Sequence, residues 1–222
     1  MTAAATPPRA PRLGELTAVD SPRTDDAWYD VLVTGDFTGA DLTQLSTQGV
    51  RCERVSFVAS DLQQARVIDT VFEACDLAGT RLDEAALTRV AFRDCRLNGA
   101  QFSAARMIDV RFVGCRMDGA GLRMARGERV WFEDCVLSAA DFYAAELAGA
   151  RFERCHLDNA DFSQARIPDA SLAGSRLDGI RGIGGLQRPT IDPTQVLPLA
   201  YSLMALHGVT IDDGSDGTED SE

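Results

Sequence analysis

The sequence predicts an all-β solenoid with four sides per coil, and two nested periods predict it. All ten Phe, from Phe37 to Phe162, share one phase of a five-residue frame. Taking one fifth per residue as the crude expectation, ten residues fall on one given phase about once in ten million sequences. The same phase carries Leu62, Leu82, Met107, Met117, Leu147 and Ile167, and two positions earlier the residues are small, as at Ala100, Ala120, Ala140 and Ala160. Neither a helix, with its period of 3.6, nor a strand, with its period of 2, keeps an apolar signal on every fifth residue. The chain therefore turns a corner every five residues. The second period is 20: Cys75, Cys95, Cys115, Cys135 and Cys155 follow it, as do Phe72, Phe92, Phe112, Phe132 and Phe152. Residues 20 apart then stack in neighbouring coils, which makes four sides.

In chain order, residues 1–26 mix Pro, Ala and charge and are expected to be disordered. Residues 27–34 (Ala-Trp-Tyr-Asp-Val-Leu-Val-Thr) are rich in β-formers and are expected to cap the first coil through Trp28 or Tyr29. From Gly35 to Gly179 the frame never slips, giving 29 units. That is about seven coils and, at about 4.8 Å per rung, a rod roughly 35 Å long. Thr47 and Cys52 stand where a large apolar residue belongs, so the first coils are expected to be looser; Gly127, the central glycine of the regular array, leaves either a void or a backbone that moves inward. Residues 180–211 break the frame with Gly182, Gly184 and Gly185 and then carry a short helix, whose start Pro198 is expected to delay to about its own position. The apolar stripe Val196, Leu199, Ala200, Leu203 and Leu206 is expected to cap the last coil or to meet a second copy. Residues 212–222 form an acidic tail with too little apolar content to order itself.

Units such as Ala160–Gln164 (Ala-Asp-Phe-Ser-Gln), Ala140–Ala144 (Ala-Asp-Phe-Tyr-Ala) and Cys75–Gly79 (Cys-Asp-Leu-Ala-Gly) resemble the A(D/N)LXX consensus of the pentapeptide-repeat family. The resemblance implies a right-handed quadrilateral β-helix and, in several members, end-to-end dimers formed through a C-terminal helix. It also implies a function class, because some members mimic the width and charge of B-DNA, bind DNA gyrase and protect it from quinolones or toxins.

Composition narrows the partner. Lysine is absent, and 22 Arg face 34 acids for a formal charge of −12. Such a balance disfavours nucleic acid and anionic membranes. No signal segment and no long apolar run occurs, and six Cys without a CxxC pair fit a reducing cytoplasm. The five-Cys ladder reads as small buried residues, since a straight ladder does not converge tetrahedrally on a metal. His156 and His207 have no partner at a catalytic spacing. No catalytic residue, metal site or cofactor is expected, and the chain is not read as an enzyme.

Function is therefore sought on the surface. From Val50 to Gly179 there are 20 acids and 17 Arg, so the rod is nearly neutral and a poor phosphate mimic. The side beginning at Ser60 nets −3, through Asp61, Asp83, Glu84, Asp141 and Asp161 against Arg81 and Arg123; the side beginning at Ala65 nets +1. On the latter, Asp69, Arg89, Asp109 and Arg129 alternate along one row and read as ion pairs between coils. Gly121, Arg123, Met124, Arg126 and Gly127 share one coil, Tyr143 stacks beside Arg123 within cation–π reach, and Trp131 faces outward around the next corner. The candidate partner surface is Asp61, Asp83, Glu84, Arg123, Met124, Asp141, Tyr143 and Asp161. The expected role is a non-catalytic scaffold for a protein partner; the alternative is gyrase binding by DNA mimicry.

Overall fold

The computed structural model describes residues 6–20 and 27–206. Its strands are β1 (Thr17–Asp20), β2 (Trp28–Tyr29), β3 (Val31–Thr34), β4 (Ser46–Gln48), β5 (Arg51–Glu53), β6 (Arg66–Glu73), β7 (Ala86–Arg93), β8 (Arg106–Val113), β9 (Arg126–Glu133), β10 (Glu146–Ala148) and β11 (Arg151–Glu153), followed by the helix α1 (Val196–Leu206). All pairings are parallel, in the order β1-β3-β5-β6-β7-β8-β9-β10. From β6 onward partners lie 20 residues apart, as in Phe72↔Phe92 and Phe92↔Phe112. The four eight-residue strands cover two sides each and bend at Asp69, Arg89, Asp109 and Arg129, whose φ values of 48°, 52°, 58° and 55° form the corner. The other two sides are held by single bridges such as Arg81↔Gln101 and Arg96↔Arg116.

The interior is the column of central residues. Phe72, Phe92, Phe112, Phe132 and Phe152 stack with centroids 4.8 to 5.0 Å apart and planes within 6°. Face-to-face stacking is not the arrangement aromatic rings choose alone; the rung spacing of the sheet imposes it. Phe102 and Phe142 present their edges to that column at 86° to 89°.

The N-terminal end differs from expectation. Trp28 and Val33 are not a cap lying over the rod: they pair as Trp28↔Thr47 and Val33↔Cys52, so residues 28–34 are two sides of the first coil, set one residue short of the later spacing. Thr47 is not a loose point, because Trp28 fills the rung beside it and packs at a tilt of 44° against Phe37, with centroids 5.2 Å apart, and the Thr47 hydroxyl pairs with that of Thr70 at 3.0 Å.

Within the segment expected to be disordered, β1 covers the edge of β3 in the register Thr17↔Val31 to Asp20↔Thr34. The strand is preceded by an extended strap. The strap N–H groups of Arg9 and Arg12 donate to Asp109 and Asp69 at 3.0 Å each, and the N–H of Thr17 donates to the Asp30 carbonyl at 3.1 Å. Asp69 and Asp109 are consequently 6% and 3% exposed, whereas Asp169 on the same corner row is exposed. Low apolar content pointed to disorder; the compensation is polar, since each of these carboxylates also takes Arg89 or Arg129 bidentately, at 2.6 and 2.6 Å or 2.5 and 3.1 Å.

At the other end, Gly182 adopts φ 67°, and a Cβ there would run into the backbone of Phe162 and Ser163, so only glycine lets the last turn close. α1 starts at Val196 rather than at Pro198, because Pro198 sits in the first turn, where its missing N–H has no intrahelical acceptor to lose. Leu199 is buried against the core, but Val196 and Leu203 are exposed, and the side chain of Leu206 lies outside the described residues. The end is closed instead by buried Gln195, whose amide donates to the carbonyls of Leu172 and Ser175 at 2.5 and 2.7 Å.

Candidate partner-binding surface

Every outward residue is placed by the same rule: in each unit the central residue points in, and its neighbours on either side point out. The side beginning at Ser60 thus brings position 141 one rung above 121 and position 143 one rung above 123. Arg123 donates to Asp141 at 2.8 Å and lies over the Tyr143 ring, 4.4 Å from its centroid. Asp141 also accepts the N–H of Tyr143 at 2.8 Å, so the Asp, Arg and ring hold one another. The bond to Asp141 raises the already high pKa of Arg123, which keeps the cation charged throughout. Met124 beside it is 52% exposed.

The remaining acids of that side do not form a continuous negative face. Asp61 pairs with Arg81 at 3.0 Å and Asp161 with Arg181 at 3.6 Å. Asp83 accepts the N–H of Ser103 at 3.1 Å, and Glu84 accepts the amide of Gln64 at 3.0 Å. Between these groups and Asp141 lie Gln101, Ser103 and Gly121, so the acids fall into two clusters separated by a neutral stretch. Counting by side gave a net of −3 with Arg81 and Arg123 included; Arg181, beyond the counted range, pairs with Asp161 and reduces that excess by one.

Trp131 is half-buried between Arg151 and Arg111, whose guanidinium carbons lie 4.9 and 6.0 Å from the ring centroid. Arg111 reaches Glu133 at 2.6 Å, and Glu133 is buried. Reading positions 20 apart in the outward columns would have found this clamp, since Arg111, Trp131 and Arg151 occupy one column.

The six cysteines are free and buried. Cys95 donates to the Phe72 carbonyl at 3.4 Å and Cys155 to that of Phe132 at 3.4 Å. Where the ladder ends in Ser175, its hydroxyl donates to the Phe152 carbonyl at 2.8 Å, so the position asks for a small donor and sulfur is not required. Burial pushes the Cys52 thiol up, away from the reactive thiolate. Among the described residues no group of three or more His, Cys, Asp or Glu could hold a metal ion.

Gly127 leaves no void. A Cβ there would stand 2.6 Å from Val130 Cγ2 and 2.9 Å from Leu147 Cδ2, so neighbours already fill the space. Outside it lies a depression of about 560 Å³.

With this geometry in place, the repeat region can be set beside known proteins. The family model for a pentapeptide repeat region matches residues 45–122, 86–162 and 105–181. The chain belongs to the pentapeptide-repeat family. A full-length structure of QnrB1, a plasmid-mediated fluoroquinolone resistance protein, is 23% identical, with 86% of this chain and 97% of that chain covered and a TM-score of 0.41. A trypsin-treated form of QnrB1 gives 20% identity, 89% and 100% coverage and a TM-score of 0.47. HetL, a pentapeptide-repeat protein involved in heterocyst differentiation regulation in Nostoc sp. strain PCC 7120, gives 19% identity, 82% and 89% coverage and a TM-score of 0.29. No curated protein matches the sequence.

Proposed function

We propose that this pentapeptide-repeat chain is a non-catalytic scaffold that binds a protein partner through its β-helix surface, with Arg123, Met124 and Tyr143 at the centre of the contact. One observation carries the reading: the Asp141–Arg123–Tyr143 stack pre-orders an aromatic and an Arg side chain beside an exposed Met. Those residue types supply most binding energy at protein interfaces, and little entropy is left to lose. The buried free thiols suit a reducing cytoplasm. No helix among the described residues is long and apolar enough to cross a membrane. A photo-crosslinker placed at Tyr143 should capture a discrete partner in the host cell, and Arg123→Ala should abolish that adduct without changing the melt. Crosslinking that is unaffected by Arg123→Ala would remove the site.

A second, narrower reading is gyrase binding by DNA mimicry. Asp61, Asp83, Glu84, Asp141 and Asp161 on one side support it, and the ion pairs to Arg81, Arg123 and Arg181 weigh against it. Asp141→Arg with Asp161→Arg should abolish protection in a supercoiling assay containing a quinolone; a wild-type protein without effect at micromolar concentration ends this reading. Dimerisation belongs here too. Val196, Leu197, Leu203 and Met204 leave large apolar side chains exposed on one 11-residue helix, a face that suits a second copy. Sedimentation of wild type and Leu203→Asp reads the outcome directly.

A further inference from the structure

On most of this surface each Arg answers a carboxylate one rung away: Arg81 pairs with Asp61, Arg89 with Asp69, Arg129 with Asp109 and Arg154 with Asp134. Two outward columns break the pattern by stacking Arg on Arg, Arg96 on Arg116 in one and Arg106 on Arg126 in the other, and a hollow lies beside the second. The second runs Arg66, Ala86, Arg106, Arg126, Glu146, Arg166, each residue in register with the next. Arg106 and Arg126 are direct cross-strand neighbours, and like charges placed so are destabilising. Arg126 reaches Glu146 at 3.5 Å, but among the described residues Arg66, Arg106 and Arg166 have no carboxylate within ion-pair range. All four guanidinium-bearing residues are exposed.

The column borders the depression outside Gly127. Met107 and Gly127 make the floor, and Ile108, Ala148 and Pro168 add apolar surface, with Ile108 40% exposed. A repeat that places Asp opposite Arg along much of its surface, yet here stacks Arg on Arg beside an apolar hollow, accepts a local cost that the single Arg126–Glu146 pair offsets only in part. Such departures mark places where something outside the chain completes the arrangement.

We propose that the Arg66–Arg106–Arg126–Arg166 column and the hollow beside it bind an extended acidic segment of a protein partner, with carboxylates on the Arg residues and an apolar side chain over Gly127. An extended chain rises about 3.3 Å per residue, so acids three apart span about 10 Å. Two rungs, the separation of Arg126 from Arg166, span about 9.6 Å at the ordinary strand spacing. The partner motif is therefore acid-x-x-acid with an apolar residue between. A nucleic acid is the poorer fit, because a phosphate on every nucleotide would meet Glu146 within the column, whereas acids spaced three apart step over it and leave an apolar residue for the hollow. The site lies around a corner from the Arg123–Tyr143 stack and does not depend on it.

The test is fluorescence anisotropy with the full chain and a fluorescein-labelled peptide, Glu-Glu-Leu-Glu-Glu-Leu-Glu-Glu, alongside the same peptide with Gln for every Glu and a labelled single-stranded oligonucleotide. Binding of the Glu peptide should saturate, weaken with salt and fall at least about 10-fold in Arg106→Ala with Arg166→Ala, the loss expected when two charge-assisted contacts go. Arg93→Ala with Arg116→Ala, which removes two other exposed guanidinium groups, should leave it unchanged. Melts of both double variants should match wild type. The proposal is overturned if the Glu peptide does not saturate, if both double variants lose binding equally, if the Gln peptide binds as well, or if the oligonucleotide binds more tightly.

Discussion

At the first coil, an indole fills the rung beside a small Thr47, and a strand laid along β3 hides its edge. At the last coil, one buried Gln195 donates to two carbonyls, and α1 contributes Leu199 as a buried apolar side chain. A solenoid has the same problem at both ends, an open rung of apolar side chains and unpaired backbone groups. The two solutions differ in which half of the problem is met by side chains. The N-terminal end covers carbon with carbon and hands the backbone to another strand. The C-terminal end satisfies carbonyls with a side-chain amide, and leaves apolar surface on the outer face of its helix.

If that contrast is right, the two ends should fail differently. Trp28→Ala should cost about 3 to 5 kcal/mol, in the range for large aromatic truncation, and thermal melts should place it near Phe112→Ala in the middle of the rod. A loss below about 1 kcal/mol would mean that the first coil contributes little to the cooperative unit. Gln195→Ala should cost less, about 1 to 3 kcal/mol, because it takes the donor from the buried Ser175 carbonyl, while that of Leu172 keeps the N–H of Ser175, rather than opening a large cavity. Gln195→Leu should not rescue it, although Leu would be the better replacement if the end were apolar in character. The smallest effect is the strap. The bonds that Arg89 and Arg129 donate hold Asp69 and Asp109 below the ordinary carboxylate pKa, against the opposing effect of burial, and the strap N–H groups lower them further. Groups with depressed native pKa values stabilise fully above the unfolded value, about 3.9, and lose that contribution as pH falls through the native one. The amide resonances of Arg9 and Arg12 should therefore hold constant from neutral pH to about pH 4 and move to free-chain positions only in stronger acid, while those of β8 stay put. Asp109→Asn should release Arg9 at neutral pH.

The regular part of the rod was legible in the sequence because one side chain per five residues points inward and selection for volume acts on it. Phe72 through Phe152 and the side assignments of Asp61, Arg123 and Tyr143 follow from counting alone. The ends were less legible for a physical reason. The first coil is one residue short, which takes Trp28 and Val33 out of phase although they are central residues. Gln195 is invisible to an apolar pattern, and the strap is held by backbone N–H groups, which carry no residue signature. Charge was read by side, and that count stopped at Gly179, short of the Arg181 that pairs with Asp161. The same counting along a column would have exposed both the Trp131 clamp and the stacked Arg106 and Arg126.

The strap also turns the rod into a ruler. Arg9 and Arg12 are three residues apart and meet Asp109 and Asp69, which are two coils apart. Each follows a proline, and a proline-rich extended chain rises about 3.1 Å per residue, or about 9.3 Å per three, against about 9.6 Å for two rungs. The two scales agree to about 0.3 Å per step, within the spread of either spacing. What ends the row of contacts is the sequence: the next mark beyond Asp109 in this phase is Gly149, which has no side chain to offer.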